Sequence, residues 1–167
     1  MKTIMKSKLI LSLIMLVSAV TFGQKSPAET VTGTIAEANV EIKYSSPRVK
    51  ERTIYGNLVP YAKVWRAGAN ENTTISFDKA VKVNGQDLAA GTYGFFIIPN
   101  ENDNWTAIFS NKNDAWGSSS YKEADDALRV EVKAKSLKES SENLTYKVTE
   151  KGVKFVWADK GFMMKVK

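Results

Sequence analysis

"VNGQDLAAGTYGFFIIP", residues 83–99, decides the class of this chain. Asn84-Gly85 is the dipeptide that best fills a type I′ turn, because both central positions there need positive φ, so it predicts a tight hairpin. Gly91 to Ile98 is then a near-continuous apolar run ended by Pro99, which suits a central strand covered on both faces. The same grammar extends in both directions. Upstream, Val40, Ile42 and Tyr44 alternate with Glu41 and Lys43 until Ser46-Pro47, and Thr73 to Phe77 and Ala80 to Val83 lead into the hairpin. Downstream, Trp105, Ala107 and Phe109 share one face, and Leu128, Val130 and Val132 begin an alternation that continues to Leu137. Leu144, Tyr146 and Val148 precede a turn at residues 150–152, Val153, Phe155 and Trp157 follow, and Asp159-Lys160-Gly161 reads as a last turn before Phe162, Met164 and Val166.

About nine short strands, with turn residues every eight to twelve positions and only a helical turn at residues 121–127, predict an all-β fold. The expected architecture is a single-domain antiparallel β-sandwich, jelly-roll-like, over residues 38–167. Residues 24–37 are small and polar without periodicity and read as a flexible lead-in.

Residues 1–23 combine Lys2, Lys6 and Lys8, an apolar run from Leu9 to Val20 and a small-residue exit, the pattern of a secretory signal peptide cleaved near Gly23-Gln24. The run is too short and too interrupted by serines for a membrane span, so the mature chain is expected to have none and to be secreted or periplasmic. With no cysteine in the chain, no lipid can be attached at the cleavage site, so a lipoprotein is not expected.

The chain contains neither His nor Cys. A Ser-His-Asp triad, a thiol nucleophile and a zinc site built on nitrogen and sulfur are thereby closed. The formal charge of +6 halves to +3 once the three leader lysines are set aside, and no dense Lys/Arg run remains, so nucleic acid is not an expected partner. Two Ser-x-x-Lys matches (Ser76/Lys79, Ser119/Lys122) lack the companion elements of a Ser-Lys hydrolase. Residues 100–104 (NENDN) superficially match a calcium loop, but Trp105 stands at the sixth position and Asn111 at the twelfth, where Gly and a bidentate Glu belong, so a hairpin loop is expected. No metal site, cofactor or catalytic residue is assigned.

The motifs "IYGNLVPYAKVWRAGANENTTI", "VNGQDLAAGTYGFFIIP", "WTAIFS" and "WG…DALRVEVK" together resemble one family, the secreted domains known as domain of unknown function 2911, over roughly residue 40 to the C-terminus. The resemblance implies an exported β-rich domain and no particular chemistry. Members tend to carry Arg-Pro after the first strand and Lys-Gly-Arg soon after it. This chain has Ser46-Pro47-Arg48 and Lys50-Glu51-Arg52 instead, which leaves Arg48 as the nearest substitute.

Residues 59–75 (VPYAKVWRAGANENTTI) concentrate the polar chemistry. Lys63, Arg66, Asn70 and Glu71 surround Ala67-Gly68-Ala69, and Trp65 sits among them. One reading is a polar ligand pocket, with Arg66 as a planar fork for a carboxylate or sugar hydroxyls. The other is a closed corner in which Arg66 and Glu71 pair with each other, Trp65 fills the core and Asn70 takes the left-handed conformation. Trp116, in the turn-rich "NKNDAWGSSS", is either a plug folded over one end of the sandwich or an exposed platform for a sugar ring. Trp105 and Trp157 are expected in the core. The candidate ligand-binding residues are therefore Arg48, Lys63, Arg66, Asn70, Glu71 and Trp116, with a saccharide or other polar small ligand as the expected partner. A carboxylate-dependent glycan hydrolase centred on Glu71, and a structural or assembly role with an envelope protein partner, are the alternatives. With no complete catalytic motif, the reading leans away from an enzyme.

Overall fold

The computed structural model describes residues 25–167; the expected leader and its cleavage point lie outside the described residues. Ten strands run β1 (Ala28–Ile35), β2 (Ala38–Ser45), β3 (Thr74–Phe77), β4 (Val81–Val83), β5 (Gln86–Leu88), β6 (Gly91–Ile98), β7 (Asn104–Ser110), β8 (Asp126–Lys133), β9 (Lys135–Thr149) and β10 (Gly152–Lys165). The one helical element among the described residues is a 3-10 turn at Glu123–Asp125, within the stretch where a helical turn is expected. No described helix is long and apolar enough to cross a membrane.

The first layer is a six-stranded antiparallel sheet in the order β1-β2-β3-β6-β7-β8, and the long β9–β10 hairpin forms the second. The all-β antiparallel class is as expected. Successive strands keep to one sheet in up-and-down order, with the β4–β5 hairpin as an excursion, and do not alternate between sheets as in a jelly roll.

Period-two alternation explains the core. On β2, Val40, Ile42 and Tyr44 point inward, and Phe95, Trp105 and Phe109 do so from β6 and β7. They meet Tyr146, Phe155 and Trp157 of the second layer, every one of these at most 1% exposed. Aromatic pairs join the layers edge to face: Tyr44 with Tyr146 at 4.8 Å between centroids, Phe95 with Tyr146 at 6.2 Å, and Trp105 with Phe162 at 6.3 Å. The outer face of β6 is covered too, because residues 111–122 cross it and Tyr121 packs on Phe96 at 5.1 Å. That accounts for its uninterrupted apolar run.

Asn84-Gly85 forms the expected hairpin, with φ of 46° and 88°. Two expectations fail. Most of the supposed lead-in is β1, paired with β2 along its whole length from Ala28↔Ser45 to Ile35↔Ala38. Its turn is Ala36-Glu37, with φ of 47° and 66°, a left-handed pair built without Gly or Asn. Asp159-Lys160-Gly161 does not reverse the chain: β10 continues through it, and register shifts on either side of Ala158 absorb the extra residues of β9 as bulges.

Candidate functional site

The segment between β2 and β3 is a corner clamped on several sides by its backbone. Ala62 N–H donates to Pro99 O at 2.8 Å, and Trp65 and Ile97 exchange both hydrogen bonds at 2.9 Å, so the segment covers the edge of β6 beyond the start of β3. Ala69 N–H donates to Ser45 O at 3.1 Å on β2. Farther on, Asn72 N–H donates to Ala115 O at 3.0 Å and Gly117 N–H to Asn70 O at 3.3 Å, which sets Glu71 opposite Trp116. Ala62, Ala67 and Asn70 hold positive φ of 55°, 54° and 57°, the last as expected. Gly68 lets the chain approach closely, since a Cβ there would stand 2.7 Å from Thr73 Oγ1 and 3.1 Å from Ser45 O.

The corner is tied to the core through one carbonyl. Tyr146 Oη donates to Ala67 O at 2.7 Å, and Thr73 Oγ1 donates to the same oxygen at 3.2 Å. Ala67 and Thr73 are fully buried and Tyr146 is 1% exposed.

Arg66 and Glu71 do not pair. Glu71 is engaged by Lys25 Nζ at 3.2 Å, and the same ammonium sits 5.2 Å from the centroid of the Trp116 ring. The Glu71 carboxyl is held below its ordinary range, first by its own backbone N–H and then by the Lys25 hydrogen bond. Arg66 is half-buried with its guanidinium beside Gly117, whose absent Cβ would stand 3.0 Å from Nη1. Among the described residues no carboxylate lies within ion-pair distance of Arg66, and its buried Nε–H finds no acceptor. Trp116 is exposed at 60%, so its ring is not a plug over the end of the sandwich. Asn70 donates through Nδ2 to Ser26 O at 3.1 Å, a bond that fixes the chain leading into β1.

Two adjoining clefts result. One, of about 380 Å3, is lined by Arg52, Lys63, Arg66, Trp65 and Trp157; the other, of about 270 Å3, by Lys25, Arg48 and Lys50; Ser26 and Arg52 belong to both. The structure therefore brings Lys63 and Arg66 to one cleft and Arg48 to its neighbour, with Asn70, Glu71 and Trp116 on the adjoining bridge. Arg48 reaches Asn143 Oδ1 through Nε at 3.3 Å, and Arg52 bonds the carbonyls of Arg48 and Val49 at 2.6 and 2.9 Å. Trp65 stacks on Trp157 at 5.6 Å and 20° and donates its indole N–H to Gly68 O at 3.2 Å. Trp157, 1% exposed, has a buried indole N–H with no acceptor.

Lys25, Ser26, Lys50 and Arg52 are not among the site residues expected from sequence, and Trp157, in the core as expected, also lines the cleft. One signal was available: of four arginines in the chain, three fall within residues 48–66. The fourth, Arg129, is engaged elsewhere, 3.0 Å from both Asp126 and Glu123.

Other candidates resolve as structural. Residues 100–103 lie in the β6–β7 loop and Asn104 begins β7; Lys160 Nζ holds Asp103 at 2.8 Å and Asn100 Nδ2 donates to Asn104 O at 2.8 Å. A shallower depression of about 620 Å3, on the outer face of the large sheet, is lined by Thr32, Ser76, Thr92 and Asp78 and carries no cation. Asp78 is already bonded to Asn39 twice, at 2.7 Å each.

Fold and site together define an all-β antiparallel domain with an arginine-lined cleft and no His or Cys. The sequence profile of the family described as "Protein of unknown function (DUF2911)" matches residues 26–166, and the chain belongs to that family. Comparison with curated proteins and with solved structures gave no match.

Proposed function

We propose that this is an exported, non-catalytic binding domain, and that the paired clefts beside residues 59–75 take a polar, anionic small ligand, with an acidic saccharide as the first choice. The observation that carries the reading is that Arg66 and Trp157 both line one cleft and each holds a buried donor, Nε–H and Nε1–H, with no protein acceptor. A buried donor left unpaired costs about 1–3 kcal/mol, so a ligand that brings acceptor oxygens would recover that energy on binding.

Charge supports the same conclusion. The described residues sum to only +3, yet Lys25, Arg48, Lys50, Arg52, Lys63 and Arg66 gather along the two clefts. Arginine matches a planar carboxylate, phosphate or sulfate by two parallel hydrogen bonds, a geometry that lysine lacks. The exposed Trp116 ring beside Glu71 offers the flat apolar face a sugar would stack on. Within the hydrolase alternative Glu71 does not suit the general acid, which needs a raised pKa, because this carboxyl is shifted downward.

Titration calorimetry with uronic acid oligosaccharides against their neutral counterparts tests the proposal. Charged hydrogen bonds of about 1.5–3 kcal/mol predict a roughly ten- to hundredfold preference for the acidic sugar, lost in Arg66→Gln. Equal affinity for the neutral sugar, or full affinity in Arg66→Gln, would refute it.

A further inference from the structure

A second cationic surface lies on the outer face of the β9–β10 hairpin and has a different composition. A groove of about 590 Å3 runs there, with Gly161 in its floor between Leu137 and Val156, and Met163 at its side. A Cβ on Gly161 would stand 2.7 Å from Phe155 O, 2.9 Å from Val156 Cγ1 and 3.2 Å from Leu137 Cδ2, so that position has no room for a side chain. Met163, 38% exposed, is one of three large exposed apolar side chains among the described residues.

Ammonium groups rim this apolar strip. Lys154 and Lys165 project from β10 and Lys135 and Lys138 from β9, all exposed. Among the described residues none of the four has a carboxylate within 4.0 Å. An adjoining depression of about 530 Å3 shares Met163 and Lys165 and adds Lys82 and Lys167. No arginine lines either depression.

We propose that this face lies against the surface of an anionic phospholipid bilayer. Ammonium groups on flexible four-carbon stems follow a mobile layer of headgroup phosphates, where rigid forks have no fixed geometry to match. A soluble polyanion would be held by the same charges but would leave the Leu137, Val156 and Met163 strip in water. The boundary between headgroups and acyl chains takes up both the charge and the apolar strip.

The test is sedimentation with vesicles of phosphatidylcholine alone or with about one third phosphatidylglycerol, using the chain from Gln24 onward, which keeps every described element. The chain should sediment only with the anionic vesicles and release as salt is raised. Each lysine near an anionic surface contributes about fivefold, so Lys135→Gln/Lys138→Gln/Lys154→Gln should weaken binding on the order of a hundredfold. Leu137→Ser/Met163→Ser should weaken vesicle binding about tenfold at unchanged charge and leave binding to inorganic polyphosphate as it was. Arg66→Gln should sediment like the parent, because its cleft is separate. Equal binding to neutral vesicles, a triple variant that binds like the parent, or a Leu137/Met163 variant with undiminished vesicle binding would overturn the proposal; the last result would place a soluble polyanion there instead.

Discussion

The Ala67 carbonyl offers a quantitative test of how the corner is anchored. It accepts from Tyr146 Oη at 2.7 Å and from Thr73 Oγ1 at 3.2 Å, and no other donor reaches it among the described residues. Tyr146→Phe removes one bond and leaves the carbonyl satisfied by the other, so it should cost about 1 kcal/mol. Thr73→Val, nearly isosteric, should cost about the same. The double variant strands a fully buried carbonyl oxygen and should incur its desolvation penalty as well, so the loss should be about 3–4 kcal/mol instead of the additive 2. Urea denaturation of the four proteins reads the cycle, with the midpoint moving and the slope unchanged. Additivity of the two changes within about 0.5 kcal/mol would refute the shared-acceptor account. A loss above about 3 kcal/mol for Tyr146→Phe alone would refute it too, since that is the scale of a large packing defect.

Other expectations follow from the same geometry. Lys50-Glu51 occupies a left-handed pair with φ of 48° and 57°, closed by Arg52 N–H to Val49 O at 3.1 Å, where the family resemblance has Gly second; Glu51→Gly should raise stability by up to about 1 kcal/mol in thermal unfolding. Gly117 holds φ of 69° beside Arg66, so Gly117→Ala should destabilise by about 1–2 kcal/mol and also weaken ligand binding, seen by calorimetry, by displacing the guanidinium. The carboxyls of Glu71 and Asp78 both sit below their ordinary values, Glu71 through its own backbone N–H and then Lys25, Asp78 through the backbone and side chain of Asn39. A depressed folded pKa gives stability that is present above the unfolded value and lost as pH falls through the folded one. Urea midpoints should therefore decline from about pH 4 downward, less steeply in Asp78→Asn.

Legibility tracked how local the determining chemistry was. Asn84-Gly85 and the apolar run of β6 announced themselves because turn geometry and double-sided burial are written into consecutive residues. β1 was hidden because Ala36-Glu37 makes its turn without the residues that relieve positive φ, and because its outward Thr30, Thr32 and Thr34 oppose only two partly buried or buried apolar residues, Val31 and Ile35. Asp159-Lys160-Gly161 carries the composition of a turn, but pairing with β9 turns it into a bulge, a choice settled by a partner strand some twenty residues earlier. The corner at residues 59–75 could be recognised as one polar unit with Asn70 left-handed. Its ion pairing could not, since Lys25 reaches Glu71 across 46 residues and Trp157 joins the cleft wall from the far end of the chain.

The indole N–H of Trp157 gives the most direct measurement of the binding reading. In a 15N-labelled protein titrated with an oligouronate, the Trp157 indole resonance should move downfield as its donor gains an acceptor. The indoles of Trp65 and Trp105, already bonded to Gly68 O at 3.2 Å and Asn100 O at 3.0 Å, should shift far less. A Trp157 resonance that stays in place while the ligand demonstrably binds would contradict the account.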